Sequence, residues 1–176
     1  RDDLDSLIRY PYGCVEQTMS RMLPTAAAAK VYAELGIANP KEDELPKIIT
    51  QGLQKLYAYQ HGGGSWGWFY DDDPGTYLTS YVLFGLLTVK DAGFEVDEDV
   101  LSRGLSYLAQ NMTRTTDKGT QAYALYVLSL AERSNESAAA DLLANHNSLQ
   151  PFGKAMLAMA LHTAGDTEGA NQVLDS

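Results

Sequence analysis

A single cysteine, Cys14, leaves the chain no internal disulfide, so a disulfide-stapled scaffold is excluded. Histidine is nearly as scarce. His61, His146 and His162 are the only three, no pair has metal-ligand spacing, and neither a metal nor a cofactor is expected. Basic residues are scattered against a formal net charge of −10, which argues against nucleic acid as a partner. Apolar stretches are too short and too interrupted to span a bilayer. Strand signals are nearly absent. The chain opens Arg-Asp-Asp without an initiator Met, an apolar signal region or a basic leader, so it is expected to be a piece of a longer protein or a mature segment.

Helical periodicity fills the space that strands leave. With 176 residues and 45% hydrophobic content, residues 1–176 suit one compact domain or part of a larger one. A short helix is expected from Cys14 to about Met22, broken by Pro24, which starts a second, Ala-rich helix to Leu35 closed by Gly36. Further helices are expected over Leu45–Tyr59, from Asp73-Pro74 to Asp91, from an Asp97 cap to about Ala109, and from Thr116 or Asp117 to Arg133. Three more run from Ser134 or Asn135 to Ala144, from Pro151 to Ala164 and from Asp166 to Leu174. The acidic clusters Glu42–Glu44, Asp71–Asp73 and Glu95–Asp99 fall at loops or helix starts and read as solvated, dipole-compatible charge. Asp71–Asp73 lack the alternating spacing of a calcium loop.

Tyr81–Leu87, Tyr123–Leu130 and Lys154–Leu161 resemble one another and are apolar almost all round, with one-faced helices between them. A helix of that kind must be buried on several sides. Alternation of the two kinds implies stacked helical hairpins, inner helices shielded by outer ones, in either an open solenoid or a closed α/α ring. The repeat spacing is uneven, and the last stretch also reads in part like a tetratricopeptide hairpin.

Cys14 and Gln17 are the chemically loaded pair. At i and i+3 on one helical turn they share a face. The free N–H groups of a helix start favour a thiolate, and Gly13 allows a sharp entry into the helix. Attack by sulfur on the Gln17 carboxamide carbon would expel ammonia and leave a thioester, a stored acylating agent. Without context the same spacing describes a small buried cysteine beside an ordinary glutamine.

The context is Pro11-Tyr12-Gly13-Cys14-Val15-Glu16-Gln17. This run resembles the Gly-Cys-x-Glu-Gln thioester signature of the α2-macroglobulin and complement superfamily. Met19, Met22, Pro24 and Thr25 fit its continuation, and Gly75–Leu86 is similar to its Leu-Thr-Ala-Tyr-Val helix. The resemblance implies an all-α, α/α toroid of inner and outer helices, here an incomplete ring, forming the single thioester-containing domain of a larger multidomain protein. It implies a protease trap, an endopeptidase inhibitor rather than an enzyme, in which the Gln17 acyl group is spent once on an attacking protease. Tyr12, Gly13 and Glu16 would support the Cys14–Gln17 cross-link. The implied partners are the target proteases, bound covalently, and other domains of the parent chain that cover the thioester. Val15, where animal members usually carry Gly, and the lack of disulfide cysteines are more like bacterial members, which implies a cell-envelope protein, periplasmic or membrane-anchored, with an extracellular one as the alternative. Complement-like members carry an acyl-accepting histidine whose place falls between Ala109 and Gln121. This chain has none there, so direct attack by lysine amines is implied.

His61 lies in a glycine-rich loop with Trp66 and Trp68, where it is a candidate relay base or a packed loop residue. Trp66, Trp68 and Tyr70 are candidates for sheltering the thioester from water, since an exposed thioester hydrolyses. Two other functions fit the helix pattern. One is an α/α-toroid enzyme of the terpene cyclase or prenyltransferase kind, suggested by the Gln60–Trp68 run. The other is a non-reactive helical scaffold.

Overall fold

A computed structural model describes residues 13–38, 43–133 and 135–176. Pro11, Tyr12, Glu42 and Ser134, named above, lie outside the described residues. The described residues form α1 (Val15–Leu35), α2 (Leu45–Tyr59), α3 (Thr76–Asp91), α4 (Glu98–Asn111), α5 (Lys118–Leu130), α6 (Glu136–Ala144), α7 (Pro151–Thr163) and α8 (Thr167–Leu174), with no strand among them. Short 3-10 turns at Met112–Arg114 and His146–Ser148 follow α4 and α6.

Most helix ends sit where local chemistry puts them. Asp97 and Asp117 cap α4 and α5 by accepting from the backbone N–H groups two and three residues ahead, and Asn135 and Asp166 cap α6 and α8. Pro46 and Pro151 sit in first turns, where no N–H is needed. Gly36 ends α1 in the left-handed region at φ 61°. α3 starts later than its Asp73-Pro74 signal, at Thr76, because the Gly75 N–H is taken by the Trp66 carbonyl.

α1, α3, α5 and α7 stand in a row, each packed on the next, and the even-numbered helices flank them. The inner helices carry the buried runs: every residue from Thr120 to Ser129 of α5 is buried. Tyr123 joins three of them, its ring 5.8 Å from both Tyr77 of α3 and Phe152 of α7. Burial pushes its phenol pKa well up, so the hydroxyl stays protonated. Among the described residues no broad packing joins α1–α2 to α7–α8, so the row does not close on itself.

One expectation fails. Pro24 does not break the first helix; α1 runs unbroken from Val15 to Leu35 with Pro24 inside it. An interior proline costs about 3 kcal/mol. Here Pro24 is exposed, so water can reach the carbonyl its ring leaves unpaired. On the opposite face Val15, Met19, Met22 and Ala26 are all buried, at one exposure of 1% and three of 0%. Burying one methionine contributes about 1.5–3 kcal/mol, so packing on both sides of the proline outweighs its penalty. The two methionines are seated over glycines of the adjoining helices: a Cβ on Gly52 of α2 would come 2.8 Å from Met22 Sδ, and one on Gly85 of α3 would come 2.2 Å from Met19 Cε.

Pro24→Ala is therefore expected to raise the unfolding free energy by about 1–2 kcal/mol, read as a higher denaturation midpoint in urea; a lower midpoint would show that the proline does not strain α1. Asp117→Ala is expected to cost about 1 kcal/mol through loss of the α5 cap. The Asp117 carboxyl is held below its ordinary value of 3.8, first by the Thr120 hydroxyl, so this contribution is complete above pH 3.8 and is lost as pH falls through the lower folded value. Urea titrations of both proteins across that range would show the two curves converging in acid.

Candidate functional site

The start of α1 builds the site. Cys14 is the N-cap, with extended backbone at φ −65° and ψ 175°. Its own N–H donates to Gln17 Oε1 at 3.2 Å, while the Gln17 backbone N–H faces the Cys14 side chain. This is the reciprocal capping box, with cysteine where serine or threonine usually stands. The Gln17 side chain thus folds back over the helix start while staying exposed to solvent. The space it fills is the one residue 13 leaves open: a Cβ on Gly13 would meet Gln17 Oε1 at 2.9 Å and Gln17 Cβ at 3.1 Å. Cys14 is half-buried, and Gln17 is exposed.

Glu16 points its carboxylate along the helix instead, accepting from the Ser20 hydroxyl at 2.6 Å. It adds negative charge to the first turn, where the helix dipole favours it. Thr18 Oγ1 donates to the Cys14 carbonyl at 3.1 Å and tightens the same turn. Tyr12 lies outside the described residues.

The glycine-aromatic loop between α2 and α3 touches the site through its backbone. The Val15 N–H, one of the unpaired donors of a helix start, donates to the Trp68 carbonyl at 2.9 Å. Trp66 fixes that loop. Its ring is fully buried, its Nε1–H donates to the Leu56 carbonyl at 2.8 Å, and its backbone N–H donates to Thr79 Oγ1 at 3.1 Å. The three candidate shielding aromatics therefore separate: Trp66 belongs to the core, while Trp68 and Tyr70 are 51% and 55% exposed on the loop surface. His61 packs its ring edge-on to Tyr70 at 5.7 Å, and its Nε2 is buried without a partner. Asp72 accepts from the Phe69 N–H at 3.1 Å, so the aspartate run braces this loop.

Lys55 of α2 is the site neighbour that sequence reading did not find. Burial lowers its pKa, and a coulombic interaction with Cys14 opposes that fall. Nothing in the spacing of Lys55 marks it, because its relation to Cys14 arises only when α2 packs on α1.

The fold is shared with known α2-macroglobulins. It superposes on native α2-macroglobulin from Escherichia coli, solved from domain MG7 to the C-terminus, with a TM-score of 0.80 at 24% identity, covering 98% of this chain and 29% of that one. Salmonella α2-macroglobulin reacted with methylamine gives a TM-score of 0.81 at 21% identity, covering 98% of this chain and 12% of that one. Residues 1–120 match the A-macroglobulin TED domain, and the chain belongs to that family. It is 44% identical over 129 residues to an α2-macroglobulin of Thermotoga maritima, an alignment that covers 73% of this chain and spans only 7% of that relative's length.

Trp66→Phe keeps an aromatic ring but a smaller one, and removes the indole N–H, leaving the buried Leu56 carbonyl unpaired. It is expected to cost about 1–3 kcal/mol. Hydrogen exchange at the Val15 amide is expected to accelerate in the same variant, because the Trp68 carbonyl is held by the loop that Trp66 anchors; unchanged exchange at Val15 would separate the loop from the site.

Proposed function

We propose that residues 1–176 are the reactive, thioester-containing domain of an α2-macroglobulin-like protease trap, and that Cys14 and Gln17 form the thioester. The observation that carries this reading is the capping turn, in which Gln17 Oε1 lies 3.2 Å from the Cys14 N–H and both side chains occupy one turn. Attack of Cys14 Sγ on Gln17 Cδ forms the C–S bond and breaks the C–N bond, and nitrogen leaves as ammonia. Proximity supplies the effective concentration that the bimolecular reaction lacks. A lysine amine of a trapped protease then attacks the same carbon, an amide forms, and sulfur leaves as thiolate. The acyl group is consumed, so the domain acts once and does not turn over.

Family membership supports this reading, as does the methylamine reaction of the Salmonella protein that shares the fold. No histidine occurs between Ala109 and Gln121, which favours amines over hydroxyls as acceptors. Because the chain spans a small part of its relatives, the covering of the thioester and its release by proteolysis are assigned to other domains of the parent chain. The location that fits the bacterial relatives is the cell envelope, periplasmic or membrane-anchored.

Intact mass spectrometry of the unprovoked protein is expected to show a deficit of one ammonia, absent in Cys14→Ala. Methylamine is expected to add one amine at Gln17 and release one thiol. Gly13→Ala pushes the Gln17 carboxamide off the turn and is expected to cut the fraction carrying the deficit by about tenfold or more. A Cys14 thiol that titrates fully from the outset in the intact protein would overturn the reading.

A further inference from the structure

α2 runs back along α1. Met22 sits over Gly52, and the loop that follows α2 reaches Val15 through the Trp68 carbonyl. Tyr59 lies seven residues beyond Gly52, and Cys14 lies eight before Met22. At about 1.5 Å per residue these are matching distances of about 10–12 Å, so Tyr59 and Cys14 share a level across the two helices. The Lys55 ammonium is drawn along α2 toward that level, standing 5.5 Å from the Tyr59 ring centroid. The residue is half-buried, and Tyr59 is itself packed on the core. A cation held in this way is kept toward the Cys14 end of the helix pair rather than swinging in solvent.

We propose that Lys55 is a positioning residue for the Cys14–Gln17 chemistry: held over Tyr59, its ammonium stabilises the thiolate that departs when an amine attacks the Gln17 acyl carbon. The role rests on the thioester reading above. In the step concerned, the amine nitrogen bonds to Gln17 Cδ, the C–S bond breaks with its electron pair on Cys14 Sγ, and the attacking nitrogen releases one proton to solvent. Lys55 keeps its protons throughout. It acts on charge that develops as the bond breaks, which is where a fixed cation lowers a barrier most. Tyr59 has a second task here. A neutral Lys55 amine would itself attack the acyl carbon, and the ring face favours the charged form.

The test compares Lys55→Met and Lys55→Arg with wild type in the intact protein. Thiol release is followed after methylamine, and iodoacetamide alkylation of the freed Cys14 is followed at neutral pH. Lys55→Met is expected to slow both by about tenfold, and Lys55→Arg to stay within about threefold, with helical circular dichroism unchanged in both. Equal rates in Lys55→Met overturn the role, and so does slowed thiol release with unchanged alkylation, which marks a packing effect only. An isopeptide between Lys55 and Gln17, seen as an ammonia deficit that persists after methylamine, also overturns it. Wild-type protein that releases no thiol with methylamine instead overturns the thioester reading, and the role with it.

Discussion

The turn that opens α1 has room for one side chain above residue 13, and Gln17 takes it. A methyl group there would come within 2.9 Å of Gln17 Oε1, so a glycine is the condition for the carboxamide to fold back onto the Cys14 N–H. Helix starts leave donors unpaired, and most proteins satisfy them with a hydroxyl or carboxylate that has no further chemistry. Here the cap is a sulfur and its reciprocal partner is an amide. The ordinary demand that a helix be capped thereby holds a sulfur and a carboxamide on one turn.

That turn is only as well placed as the helix behind it. Met19 and Met22 occupy the gaps over Gly85 and Gly52, which fixes the depth of α1 between α3 and α2. Trp66 anchors the following loop by its indole N–H, and the loop returns a backbone carbonyl to Val15. Every contact in this chain of support is either fully buried or made by main chain. The exposed rings of Trp68, Phe69 and Tyr70 project from a segment whose backbone is already held.

What could be read from the sequence was whatever depends on near neighbours. The aspartate caps, the first-turn prolines and the closing Gly36 act within a few residues, and the helix limits they mark agree with the structure to within one to three residues. Cys14 and Gln17 are also a local pair. The all-apolar helices announced an inner row, because only burial on several sides accommodates them. Pro24 was misjudged for the opposite reason: its local penalty is real, but the burial that outweighs it comes from α2 and α3. Trp66 and Trp68 sit two residues apart in one loop, and only packing over Gly104 and the bond to the Leu56 carbonyl send the first inward. Lys55 belongs with these, since its neighbour is forty-one residues away in the chain.

The unbroken rod from Val15 to Leu35 has a mechanical corollary. A break at Pro24 would have supplied a hinge, letting the first turn swivel while the remainder stayed put. Without one, the cysteine end cannot be reoriented except by prising both methionines from their sockets. Movement of that end is therefore tied to movement of the whole helix against α2 and α3.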